Sequence, residues 1–405
     1  MIETETLSNG LRIVADCRRG DVVYCGIAVD AGTRDELSEE SGMAHFVEHM
    51  SFKGTKHRRA WHILNRMEVV GGELNAYTGK EATVYYCSTL RQHFNRALDL
   101  LFDIVLNSTY PQREIDKEVE VVIDEIESYN DSPSELIYDD FESILFNGHP
   151  LGRNILGEAD RLRTYQTKDI HRFVERLYHP SRMVLFVYGD VSMSRIAKMA
   201  ERFCPSMGAP FSHERLAPHP MNVPPSSIIQ RDTHQAHVII GTGTCPMGDS
   251  RHIGLHLLNN ILGGPGMNSR LNIALRERNG LVYTVESTLT SYTDTGVWNI
   301  YFGCDHKDVN RCRKLVEREL QRLTDAPLSS AALSSAKRQL KGQVALSWEN
   351  GENVAISMGR RYLLMNKTQT LQELCERIDA VDARQLCDLA QQMFAPSKLV
   401  SLIYP

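Results

Sequence analysis

Long apolar runs are missing from this chain. The best of them, Met183 to Tyr188, covers six residues, and a helix needs about 20 to span a bilayer, so membrane-spanning helices are excluded. The opening MIETETLSNGLRIV has neither the basic-then-apolar pattern of a secretory signal nor the Arg-rich, acid-poor look of a transit peptide. The expectation is a cytoplasmic protein, or a periplasmic one if a leader is missing. A strong charge of either sign is absent too. The 45 basic and 51 acidic side chains leave a net −6, whereas a nucleic-acid binder normally carries a basic excess or stripe. Cys-x-x-Cys spacing does not occur among the nine cysteines, Cys17, Cys25, Cys87, Cys204, Cys245, Cys304, Cys312, Cys375 and Cys387. An odd count without paired spacing fits free thiols in a reducing compartment better than a disulfide framework or a cysteine zinc site. Nucleotide loops are missing as well: GTGTCPMG and LGGPGMNSR lack both the Gly-x-Gly-x-x-Gly order and a phosphate-loop Lys, and read as turns. No Gly-x-Ser-x-Gly elbow is present, which removes the commonest serine-hydrolase signal.

What is there is a chain of 405 residues, 42% apolar, with room for large cores and, by length alone, two or three domains. It repeats itself. YHPSRMVLFVYG, from Tyr178 to Gly189, matches FAPSKLVSLIYP, from Phe394 to Pro405, at an offset of 394 − 178 = 216. The same offset pairs Tyr85 in ATVYYCST with Tyr301 in GVWNIYFGC, and a helical pattern follows each of these strands. The reading is two similar domains, 1–205 and 225–405, joined by a segment, 206–224, in a Pro-rich stretch. Strands and helices come in runs within each half, which predicts an α+β fold: in each domain a mostly antiparallel sheet packed with helices.

The sharpest local signal is GMAHFVEHM. On a helix His45 and His49 lie about 40° apart on one face, and Glu48 adjoins both. Two imidazoles at that spacing can hold one Zn²⁺, with a carboxylate between them placed to take a proton from a bound water. His-x-x-Glu-His is the inverted form of the common zinc-protease motif. A third ligand is required. The helix predicted over QREIDKEVEVVIDEIESYN has a buried stripe of Ile115, Val119, Val122 and Ile126, with Glu118 and Glu125 beside it. Periodicity alone does not choose among Glu118, Glu120, Glu125 and Glu127.

HFVEHMSFKGTKHR, GGELNAYTGKEATVYYCS, EVVIDEIES, HPLGRNILG and YHPSRMVLFVYGDV together resemble the insulinase/pitrilysin/mitochondrial processing peptidase family of inverted-motif zinc metallopeptidases, in its short two-domain bacterial type. The resemblance implies that His45, His49 and Glu125 bind one Zn²⁺ per chain, that Glu118 supports the site from behind, and that Glu48 is the general base for a zinc-bound water attacking a peptide bond. It also implies that Asn75, Ala76 and Tyr77 lie on an edge strand where an extended peptide adds by backbone hydrogen bonds.

The second half cannot build the same site. In GLHLLNNILGGPGMNSRL, His256 is followed by Asn259 and Asn260 where Glu and His are needed, so His256 is expected to be structural. ALRERNGLVYTVES resembles the family's Arg…Tyr element. Arg276 and Tyr283 are thereby implied as groups that bind substrate backbone and stabilise the oxyanion. The same resemblance implies that a two-domain chain carrying both elements is a homodimer that encloses peptides or unfolded segments in a chamber; no nucleic acid or membrane partner is expected. The alternatives are a presequence-processing subunit of a heterodimer, and a non-catalytic scaffold of the same fold.

Overall fold

The computed structural model describes residues 2–204, 215–216 and 226–405; the expected linker lies, apart from Arg215 and Leu216, outside the described residues. The chain packs as two compact units. The first takes Met1–Glu127, Arg153–Arg215 and Ser347–Thr370, and the second takes Ser128–Gly152, Leu216–Leu346 and Leu371–Pro405.

The first unit is built on strands β1 (Ile2–Thr6), β2 (Arg12–Asp16), β3 (Val22–Val29), β4 (Glu73–Thr78), β5 (Thr83–Leu90) and β6 (Met183–Tyr188), in the sheet order β1-β2-β6-β3-β5-β4. Only the β2–β6 pair is parallel; the others are antiparallel. The second unit has β7 (Ser226–Ile228), β8 (Ala236–Thr244), β9 (Val282–Ser291), β10 (Gly296–Cys304) and β11 (Val400–Tyr404), in the order β7-β11-β8-β10-β9, again with a single parallel pair, β7–β11. Apart from the extra β1, the two sheets share one topology. Tyr85 on β5 stands opposite Ile27, and Tyr301 on β10 stands opposite Ile239, so the repeat seen in the sequence is a repeat of strand register.

Both sheets are covered on both faces, which explains why β6 and β10 are buried along almost their whole length. Two helices pack on the sheet of the other half's unit. Pro133–Leu145 sets Ile137, Phe141 and Leu145 against Ile239, Val297, Tyr301 and Leu402 of the second sheet. Gly351–Met365 sets Ala355, Met358, Tyr362 and Leu363 against Val14, Val84, Val184 and Phe186 of the first. The opposite face of the first sheet carries helices Met43–Ser51 and Phe94–Leu106, whose apolar stripes share one core with β3 and β5. All nine cysteines are free thiols.

Candidate metal centre

Met43–Ser51 is a helix because Met43, Ala44, Phe46, Val47 and Met50 give it a buried face. Its start is satisfied from a distance. The buried Glu36 carboxylate accepts the N–H groups of Gly42 at 3.1 Å and Ala44 at 3.0 Å, two donors that the first turn leaves without helical partners. Burial pushes the Glu36 pKa well up, against those two N–H donors and Arg153.

On this helix the rings of His45 and His49 are 4.5 Å apart and nearly edge-on. The helix Gln112–Asn130 brings Glu125 to them: its Oε2 lies 3.9 Å from His45 Nε2 and 3.7 Å from His49 Nε2. One donor atom from each residue lies within 4.8 Å of the others. These separations are too long for hydrogen bonds. They are close to the roughly 3.3 Å between ligands on a tetrahedral ion with ~2.0–2.1 Å bonds. Two imidazole nitrogens and one carboxylate oxygen are a zinc donor set, and the geometry is compatible with that metal. Among the described residues this is the one such cluster of His, Cys, Asp or Glu.

Protonation fits at His45. Burial, helped by repulsion from His49, pushes His45 down to about 3, which keeps its ring neutral as a ligand must be. Burial works against protonated His49 too, but its hydrogen bond to Glu118, with the charges of Glu48, Glu118 and Glu125, outweighs it and raises the pKa. Glu118 is buried and holds His49 Nδ1 at 3.0 Å, which leaves Nε2 facing Glu125. Lys53 completes that line, with Nζ 2.5 Å from the other Glu118 oxygen. Burial raises the Glu118 pKa, but His49 and Lys53 together bring it below the ordinary value. Glu120 is instead exposed near Arg163, 4.0 Å away.

Glu48 accepts a 2.6 Å hydrogen bond from Thr78 Oγ1 at the end of β4. Burial raises its pKa, Thr78 and His49 oppose the rise, and Glu125 adds to it. Asn75, Ala76 and Tyr77 lie on β4, which is the edge strand of the first sheet; Asn75 Oδ1 takes the N–H of Ala76 at 2.8 Å.

Arg276 and Tyr283 meet in the second unit, with the guanidinium carbon 5.5 Å from the ring centroid and Tyr283 83% exposed. Arg276 sits in a π-helical segment, Asn272–Glu277, a rare conformation that is frequent at functional sites. In the same unit the helix His252–Gly263 carries the degenerate motif. Asn259 is used up internally: it donates to Ser287 O at 2.9 Å and accepts from Ser287 Oγ at 2.5 Å and Trp298 Nε1 at 3.1 Å. Burial lowers His256 to about 4.

Sequence reasoning gave no role to Glu36 or Lys53, and placed Thr78 on the expected substrate strand without its hydroxyl's bond to Glu48. Lys53 and Thr78 lie inside the motif stretches, and the acid-rich run TRDELSEE ahead of a helix start was the available signal for Glu36.

A two-unit α+β fold with an inverted His-x-x-Glu-His helix and a converging third carboxylate defines a class of metallopeptidase fold. The sequence model described as Insulinase (Peptidase family M16) matches residues 12–159, and that described as Peptidase M16 inactive domain matches 164–340. An uncharacterized zinc protease, YmxG, of Bacillus subtilis is 34% identical over 100% of this chain and 98% of its own. The mitochondrial-processing peptidase subunit beta of Rattus norvegicus is 31% identical over 98% of this chain and 83% of its own. In fold, a protease from Helicobacter pylori superposes with a TM-score of 0.92 at 22% identity, covering 100% and 99% of the two chains. The chain belongs to the insulinase, or M16, peptidase family.

Proposed function

We propose that the protein is a zinc-dependent endopeptidase acting on peptides or unfolded protein segments. The observation that carries this reading is the convergence of donor atoms within 4.8 Å, His45 and His49 from the helix that also presents Glu48 and Glu125 from the helix Gln112–Asn130. His45, His49 and Glu125 would hold the ion, and Glu118, steadied by Lys53, would fix the His49 ring. A bound zinc would supply Lewis-acid polarisation of the scissile carbonyl and a more acidic attacking water.

The rest of the chemistry belongs to the chain. Glu48 takes the proton of the attacking water and returns it to the leaving amine. Its raised pKa makes it a stronger base toward that water, the first of the two steps. Thr78 holds the carboxylate in place. The free edge of β4 takes an extended peptide as an added strand, which binds backbone with little demand on sequence. Arg276 and Tyr283 stabilise the developing oxyanion from a second subunit of a homodimer that encloses the substrate.

The test is Glu48→Gln. It should keep its zinc, measured by atomic absorption, and lose at least ~10²–10⁴-fold in cleavage of an unfolded peptide followed by mass spectrometry. A chelator should abolish cutting by the parent protein. A Glu48→Gln protein that cuts at the parental rate would remove the assignment. Two other readings are separated by the same material. A scaffold would cut nothing with zinc bound, and a processing subunit would be monomeric by mass and cut only after a partner is added.

A further inference from the structure

The π-helical turn Asn272–Glu277 of the second unit has two sides. Arg276 faces the pocket bounded by β9 and the Gly263–Gly266 loop. Ile273 and Ala274 instead line a separate open pocket of about 300 Å³, together with Arg270, Arg278, Glu319 and Arg322. Three arginines and one glutamate line it. Glu319 is buried and committed to Arg322, whose Nη1 is 2.7 Å away. Among the described residues, the side chains of Arg270 and Arg278 have no hydrogen-bond partner and no ion pair within 4 Å. Burial lowers the Arg270 pKa, Glu319 opposes this and Arg322 adds to it, the situation of a cation short of anions.

We propose that this pocket is a binding site for a phosphoryl oxyanion, either inorganic phosphate or the phosphate groups of a small polyphosphate. Three arginines and one glutamate leave a formal charge of 3 − 1 = +2, which a phosphate dianion neutralises and a single carboxylate does not. Guanidinium forks match phosphate oxygens two at a time. Arg270 and Arg278 flank the π-helical turn on either side in sequence, and Arg322 belongs to the helix Val309–Thr324. An anion shared by the three ties the turn carrying Arg276 to that helix. None of this depends on peptidase activity.

The experiment is isothermal titration of the full chain with orthophosphate and with tripolyphosphate, ionic strength held constant with sodium chloride. Saturable binding of one anion per chain is expected, and the tighter of the two probes identifies the source of the phosphoryl group. Arg278→Gln and Arg322→Gln, both exposed substitutions, should each weaken binding at least ~10-fold, as loss of a charge-assisted bidentate contact does. Glu319→Gln should tighten it, because the competing carboxylate is gone. Hydrogen exchange of amides 271–280 should slow when phosphate is bound. The site is overturned if nothing saturable binds up to about 10 mM, a dissociation constant too weak for a built site, or if both arginine variants bind as the parent does. Unchanged exchange on binding would overturn the tie to the Arg276 turn.

Discussion

Asp103 decides how firmly the segment after the zinc-motif helix is held. It is 3% exposed, on helix Phe94–Leu106. Its carboxylate accepts from Thr55 Oγ1 at 2.7 Å, His57 Nδ1 at 2.6 Å and Arg58 Nη1 at 2.6 Å. Burial raises its pKa, but His57, Thr55 and Arg58 outweigh that and hold it below the ordinary value. A carboxyl whose folded pKa is depressed contributes stability that is present above its unfolded value of ~3.9 and is lost as pH falls through the folded one. Asp103→Asn should therefore cost about 3 kcal/mol at neutral pH, the scale for breaking a buried charged contact. The gap between the two proteins should shrink below pH ~4. Urea unfolding at pH 7 and pH 3 measures both numbers, and an equal loss at the two pH values would show that the charge is not the cause. At this scale the sequence was uneven. The spacing of His45, Glu48 and His49 was legible because a helix converts four residues into one face. The third carboxylate was not legible from periodicity, since Glu118, Glu120, Glu125 and Glu127 all flank one stripe. Which of them meets the imidazoles depends on how two helices far apart in sequence cross. The Thr78 hydroxyl was hidden for the same reason, because its bond to Glu48 closes a loop that no local pattern announces; for Glu36 the acid-rich run before the helix start showed a carboxylate near that end but not which one accepts the N–H groups.

Between elements, closeness of approach is written in glycine. On helix Gly351–Met365, a Cβ at Gly359 would lie 2.3 Å from Cδ1 of Phe186, a fully buried ring on β6. Helix propensity favours Ala over Gly by ~1 kcal/mol, while overpacking a core costs ~1–3 kcal/mol. With the ring unable to move away, the clash wins, and Gly359→Ala should destabilise by on the order of 2 kcal/mol. Gly342, on helix Ser330–Ser347, has nothing within 4 Å of its Cβ position. Gly342→Ala should stabilise by up to ~1 kcal/mol. Denaturant midpoints of the two variants should move in opposite directions, and a stabilised Gly359→Ala would contradict the helix packing on β6. The strands themselves were legible, because apolar alternation and the offset of 216 fall on backbone register. Helix Gly351–Met365 shows why the rest was not. Its stripe of Ala355, Met358, Gly359, Tyr362 and Leu363 announces that some sheet must cover it. Nothing in the stripe says that the sheet belongs to the other half of the chain, as it also does for Pro133–Leu145.

At the scale of the whole molecule, one chain holds the two halves of the proposed chemistry in different units, His45, Glu48, His49 and Glu125 in the first and Arg276 and Tyr283 in the second. In the proposed homodimer, the second unit of one subunit serves the metal site of its partner. This arrangement makes a prediction that a self-contained subunit does not. Glu48→Gln lacks the base but keeps Arg276, and Arg276→Ala lacks the oxyanion donor but keeps Glu48; each alone should be nearly inactive. Mixed and allowed to exchange at equal amounts, they form mixed dimers in which one site is intact and the other doubly damaged. About a quarter of parental activity should return, since half the dimers are mixed and each holds one working site out of two. Peptide cleavage measured against the mixing ratio should peak at equal amounts, with circular dichroism confirming that both variants fold. Activity that stays at the level of the two variants alone would place Arg276 and Glu48 in the service of the same subunit, and the shared-site dimer would have to be abandoned while the metal trio stood untouched.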